Sequence, residues 1–184
     1  MKNAIFITVR SKSTRLPNKA HLKIDGLTTI EHLINRCKRS KFSDLIVLCT
    51  TENKEDDELI TVAERNGIKW FRGSEQDKLE RWNGAAKEFG VKYFVTADGD
   101  DLLVEHSLID LAFKQFADDK DLDFIEGKGI VFGAFSFAIK TSALQKVCEI
   151  KNTEDTEMMW VYFTETGHFK TSFLLNIPEK FKRP

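Results

Sequence analysis

Short apolar runs alternate with amphipathic segments from the start of the chain, and few folds accept that alternation. Ala4 to Val9 is a β-branched apolar run, the pattern of a strand buried on both faces. A basic loop from Arg10 to Lys23 follows, and then Thr28 or Thr29 can cap a helix whose apolar positions Ile30, Leu33, Ile34 and Cys37 keep helical spacing. Leu45 to Thr50 repeats the strand pattern. Asp56 and Asp57 open a second helix with Leu59, Ile60 and Ala63 on one face, and Gly67 is placed to end it. A brief strand at Ile68 to Phe71, a helix from Gln76 to Phe89 closed by Gly90, a strand at Tyr93 to Ala97 and a helix from Ser107 to Phe116 continue the series. Continuous apolar strands alternating with helices predict an α/β fold, a mostly parallel central sheet covered by helices on both faces.

After Asp121 the pattern becomes mixed. Phe124 to Glu126 and Ile130 to Ile139 read as strands with little helix between them, punctuated by Gly127, Gly129 and Gly133. Thr141 to Val147 and Asp155 to Phe163 read as helices, and Thr171 to Leu175 as a strand. Glu154-Asp155-Thr156-Glu157 suits a helix-capping cluster, with a sugar-facing group as the other reading. The expectation is one domain over residues 1–184, with a parallel half at 1–120 and a smaller mixed half at 121–184. Open parallel sheets bind ligands beyond the carboxyl ends of their strands. That rule selects the loop after Val9 and the loop after Ala97.

A length of 184 residues suits one domain with its own core. Twenty-eight basic and twenty-nine acidic residues leave a net charge of −1, which argues against a nucleic-acid binder working through bulk charge. The apolar run in Met1 to Ile7 is short for a signal peptide, and nothing approaches the ~20 apolar residues of a membrane span. A cytoplasmic protein without a membrane partner is expected. Cys37, Cys49 and Cys148 are widely spaced and lack a CxxC pair, so they read as buried reduced thiols. His21, His32, His106 and His168 show no metal-ligand spacing, and Trp70, Trp82 and Trp160 read as core or interface residues.

The first loop, Arg10-Ser11-Lys12-Ser13-Thr14-Arg15-Leu16-Pro17-Asn18-Lys19, carries four cations before the first acid at Asp25. Guanidinium forks, compact ammonium charges, hydroxyls and a proline-stiffened backbone suit a polyanion such as a triphosphate. The Walker pattern GxxxxGK[ST] is absent. A solvated basic loop is the alternative. The second loop, Asp98-Gly99-Asp100-Asp101, puts three carboxylates at a strand's carboxyl end. Facing a basic loop, such a turn can hold a Mg²⁺ ion that bridges to phosphate oxygens, since Mg²⁺ commonly takes one or two carboxylates plus substrate phosphates. An ordinary acidic turn is the alternative here. Asp98-x-Asp100 also fits the DxD pattern of glycosyltransferases that use nucleotide-sugars.

Arg10-x-x-Ser13-x-Arg15-Leu16-Pro17-x-Lys19 resembles the signature of the cytidylyltransferases that activate sugar acids. These include the 3-deoxy-manno-octulosonate and acylneuraminate enzymes and the SpsF-like branch. The likeness continues through Gly26 to Arg36, Phe71 to Arg81, Val95 to Leu103 and Phe132 to Leu144, so it covers most of the chain. The resemblance implies a Rossmann-like fold related to the GT-A nucleotidyltransferases. It implies transfer of CMP from CTP to a sugar acid, with Mg²⁺, in surface polysaccharide biosynthesis. By carry-over, Arg10 and Lys19 contact the triphosphate, Ser13 and Arg15 shape the same loop, and the end of the first strand reads the base with its backbone. Matching the family's Gly-Asp-x-Pro-Leu turn makes Asp100 the favoured metal ligand and Asp98 the second choice. Leu102 stands at the family's proline.

Asp77 and Lys78 fall where related enzymes carry a segment near the nucleotide; a solvated helix start explains them equally well. The later half would present the sugar and form a homodimer through its Phe-rich strand. The resemblance also implies a second metal-binding Asp in a late Thr-x-Asp-like motif, and none follows Pro178 in this sequence. A glycosyltransferase using Asp98-x-Asp100 and a non-catalytic nucleotide-binding domain are the other readings.

Overall fold

The structure is a computed structural model and describes residues 2–12, 16, 18–156 and 158–183. The strands are β1 (Lys2–Thr8), β2 (Lys23–Ile24), β3 (Leu27–Thr28), β4 (Leu45–Thr51), β5 (Lys69–Gly73), β6 (Val91–Asp98), β7 (Phe124–Glu126), β8 (Phe137–Lys140) and β9 (Thr171–Phe173). The helices are α1 (Thr29–Cys37), α2 (Asp57–Arg65), α3 (Lys78–Phe89), α4 (His106–Asp118), α5 (Thr141–Ile150) and α6 (Val161–Thr164). One seven-stranded sheet has the order β5-β4-β1-β6-β8-β7-β9, and a small hairpin pairs β2 with β3. Strands β5, β4, β1 and β6 are parallel. Strand β8 runs antiparallel to both β6 and β7, and β7 pairs parallel with β9. The strands of the mixed half therefore extend the sheet of the parallel half.

Side-chain alternation along the central strands divides the core into two layers. Ile5 and Ile7 of β1 face one layer, which α1, α2 and α4 close with Leu33, Leu59, Leu108 and Phe116. Ala4 and Phe6 face the other, closed by Leu79 and Trp82 of α3 and by Leu144 and Val147 of α5. The helix boundaries follow local chemistry. Thr28 and Glu31 form a capping box, with the Thr28 hydroxyl accepting the Glu31 N–H and the Glu31 carboxylate accepting the Thr28 N–H. Those bonds and nearby Arg65 hold the Glu31 carboxyl down at about 2. Gly67 and Gly90 follow α2 and α3 at φ 65°, the left-handed conformation a glycine supplies cheaply.

Two expected elements change. The strand expected over Ile130 to Ile139 is confined to Phe137–Lys140, because Gly129 and Gly133 take positive φ and the chain turns before it re-enters the sheet. The helix expected from Asp155 to Phe163 shrinks to Val161–Thr164. Thr156, fully buried, instead gives its hydroxyl to the start of α3. The three cysteines are free thiols, and burial pushes each up to about 12. No helix among the described residues is long and apolar enough to cross a membrane.

Candidate active site

The strand order makes the site. Chain direction runs outward from β1 to β4 and β5, then returns to place β6 on the other side of β1. A crevice opens where the order reverses, at the carboxyl ends of β1 and β6. Thr8 and Asp98 are register partners there, and the Gly99 N–H extends the pairing by donating to the Thr8 carbonyl at 2.8 Å. A Cβ on Gly99 would lie 2.7 Å from both Cβ and Cγ2 of Val9. Only glycine lets the acidic turn pass so close to the root of the basic loop.

The two loops thus flank one cleft of about 780 Å³. Its walls include Arg10, Lys12 and Lys19 from the basic loop, Glu75 and Gln76 from the segment before α3, Lys78 and Arg81 from the start of α3, and Asp98 to Leu103 from the acidic turn. Phe132 and Gly133 close the far rim. Lys19 Nζ meets Asp100 Oδ2 at 2.5 Å, across 81 positions of sequence. Lys78 Nζ meets Asp98 Oδ1 at 2.8 Å and also lies 5.1 Å from the centroid of Trp82. Trp82 is buried beneath it and donates its indole N–H to Thr8 Oγ1 at 2.8 Å. Arg81 donates to the carbonyl of Ser74.

Asp100 keeps 54% of its side chain exposed and Asp98 44%. Ion pairs this open contribute little stability and exchange readily for a ligand. Asp101 differs. Burial, reinforced by the Asp98 and Asp100 carboxylates, pushes its carboxyl up to about 6. Its Oδ2 accepts the Asp98 backbone N–H at 3.1 Å and so braces the turn from beneath. Asp98 and Asp100 form an oxygen-only donor set, the chemistry of a site for a hard divalent cation. Each is paired with an ammonium group, Asp98 with Lys78 and Asp100 with Lys19.

Of the residues expected from sequence, Arg10, Lys19, Lys78, Asp98 and Asp100 all line the cleft. Ser13 and Arg15 lie outside the described residues, as do Thr14 and Pro17. Asp77 is not on the wall. Its side chain caps α3 by accepting the Glu80 N–H at 3.0 Å, pairs with Lys151 at 2.5 Å and accepts the Thr156 hydroxyl at 3.2 Å. It is 5% exposed, so the nucleotide-contacting role expected for it gives way to a structural one. Lys12 and Asp101, members of the two charged loops, line the cleft with them, and so does Phe132. Arg81 follows Asp77 at i+4, a spacing that from sequence also serves a plain surface ion pair; the structure instead buries it and puts it on the cleft wall. No local pattern marks Phe132, because the turn that presents it is set by packing.

A sheet that reverses its order at a cleft with cations on one bank and carboxylates on the other is the layout of an enzyme that handles nucleotide phosphates. The model of the cytidylyltransferase family matches residues 4–177, and the chain belongs to that family. It is a nucleotidyltransferase with the α/β fold of that class, and the glycosyltransferase reading falls away. The spore coat polysaccharide biosynthesis protein SpsF of Bacillus subtilis is 26% identical over the whole of this chain and 79% of its own length. The 3-deoxy-manno-octulosonate cytidylyltransferase of Chloroherpeton thalassium is 29% identical over 66% of this chain and 49% of its own. A solved cytidylyltransferase from Leptospira borgpetersenii superposes with a TM-score of 0.88 at 28% identity, covering 99% of this chain and 78% of that one.

Proposed function

We propose that this chain transfers CMP from CTP to a hydroxyl group of a sugar acid, releasing pyrophosphate with Mg²⁺ as cofactor, in the synthesis of a surface polysaccharide. The meeting of Lys19 and Asp100 carries the reading: a cationic bank suited to phosphates and an anionic bank suited to a metal ion share one cleft. The name of the Chloroherpeton relative supports the nucleotide and the acceptor, and that of the Bacillus relative supports the polysaccharide role.

The acceptor hydroxyl oxygen forms a bond to the α-phosphorus, the bond to the bridging oxygen breaks, and pyrophosphate leaves with the electron pair. The hydroxyl proton passes to solvent. This chemistry needs positioning and charge neutralisation rather than a protein nucleophile. Arg10, Lys12 and Lys19 hold the phosphates. Asp98 and Asp100 would hold Mg²⁺, which when bound withdraws charge from the departing pyrophosphate. Among the described residues no group of three or more His, Cys, Asp or Glu side chains could hold an ion alone. Two carboxylates completed by substrate phosphates match what Mg²⁺ ordinarily takes. Asp101, bracing the turn, keeps the two carboxylates at the cleft edge.

Pyrophosphate release from CTP and Mg²⁺, measured over a panel that includes 3-deoxy-manno-octulosonate and an acylneuraminate, tests the reading. The expected result is turnover with at least one acceptor and a loss of about a hundredfold or more in Asp100→Ala, the scale of removing a charge-stabilising group. Undiminished turnover in that variant, or tight binding of nucleotide-sugars with none of CTP, would overturn it.

A further inference from the structure

The basic loop is held from behind by a carboxylate that no sequence motif marks. Asp56 lies at the start of α2, 1% exposed, under the carboxyl ends of β1 and β4. Its Oδ1 accepts the backbone N–H of Ser11 at 2.7 Å. Its Oδ2 accepts the Thr50 hydroxyl at 2.9 Å, the Thr51 N–H at 3.2 Å and the Thr51 hydroxyl at 2.5 Å. Burial pushes this carboxyl up, yet the bonds from Thr51, Ser11 and Thr50 hold it below the ordinary value. Asp56 occupies the N-cap position of α2, but its side chain makes no cap bond to that helix. The group is turned away from its own helix and towards the loop.

What it grips is informative. Ser11 is 4% exposed, and its two chain neighbours, Arg10 and Lys12, both line the cleft. Ser11 lies at a bend, and holding its amide fixes the backbone from which the Arg10 and Lys12 side chains set out towards the cleft. We propose that Asp56 is the positioning residue of the phosphate-binding loop, fixing the Ser11 amide so that Arg10 and Lys12 point into the cleft before the nucleotide arrives. The identity of the ligand rests on the proposed function; the grip itself does not. Pre-organising two long side chains removes part of the ordering cost of binding, so the effect belongs in nucleotide affinity rather than in the chemical step.

The test uses the full chain with Asp56→Ala and Asp56→Asn, the second of which keeps one acceptor oxygen. Leu59→Ala, a core truncation on the same helix, serves as a destabilised control. Hydrogen exchange at the Ser11 amide, read without nucleotide, should quicken about tenfold or more in Asp56→Ala and less in Asp56→Asn, as loss of a buried acceptor predicts. Affinity for CTP with Mg²⁺ should weaken about tenfold in Asp56→Ala, with kcat at saturating CTP within about threefold, and Leu59→Ala should leave affinity unchanged while it stays folded. Unchanged Ser11 exchange in both Asp56 variants would overturn the proposal, as would equal loss of CTP affinity in Leu59→Ala. If the unaltered chain binds no CTP, the functional reading fails, and Ser11 exchange still decides whether Asp56 grips the loop.

Discussion

Replacing Asp101 by Asn should stabilise the protein, and only above a defined pH. The carboxyl sits half-buried beneath the acidic turn, and burial followed by the neighbouring Asp98 and Asp100 charges raises it from 3.8 to about 6. In the folded chain it keeps its proton between roughly pH 4 and 6, where the unfolded chain has lost it. The folded state therefore binds more protons in that window, and stability falls as pH rises through it. A rise of about two pKa units corresponds to about 3 kcal/mol, and partial solvent screening of the like charges reduces the expected figure to about 2 kcal/mol. Asn keeps an acceptor for the Asp98 N–H and carries no charge to bury. Urea denaturation without divalent cations should show Asp101→Asn more stable by about 2 kcal/mol at pH 8, with the gap closing towards pH 4. Equal stability at pH 8, or the same gap at both pH values, would refute the reasoning.

Two further perturbations probe the architecture around the cleft. Gly99→Ala places a carbon 2.7 Å from Val9, so it should cost about 1–3 kcal/mol by overpacking and lower CTP affinity, both measurable by denaturation and calorimetry. Adding Val9→Gly, which removes both clashing carbons, should recover part of the loss. Asp77→Ala deletes the cap of α3 and strands Lys151, whose pKa the Asp77 carboxylate raises, so it should cost about 3 kcal/mol in urea denaturation. Pairing it with Lys151→Met should cost less than the sum of the single changes, and strict additivity would argue against the coupling.

The sequence was most informative where the governing chemistry is local. Apolar runs and periodicity located β1, β4 and β6 and the helices between them, and Thr28, Gly67 and Gly90 marked helix ends by side-chain and backbone preferences that act within a few residues. The charge runs of the two loops were likewise plain, and a general rule about parallel sheets put them at strand ends. Local reasoning failed where a residue had a distant partner to choose. Asp77 reads equally as a ligand contact or a solvated residue at a helix start; the structure buries it as the cap of α3, engaged by Lys151 and Thr156 from the other half of the chain. Residues 130–136 read as strand, but Ile130, Ala134 and Phe135 owe their apolar character to packing in the core beside the sheet, and Val131 and Phe132 are exposed in the turn.

What the residues alone decided was therefore the repeating strand–helix unit and the stock of charged groups at its turns, because propensity, capping and periodicity need no long-range information. The tertiary structure decided which of those groups meet. Lys19 reaches Asp100 and Asp56 reaches Ser11 only because the sheet places β6 and β4 on opposite sides of β1. Strand order is settled by packing the whole core, and no short stretch of the chain contains it.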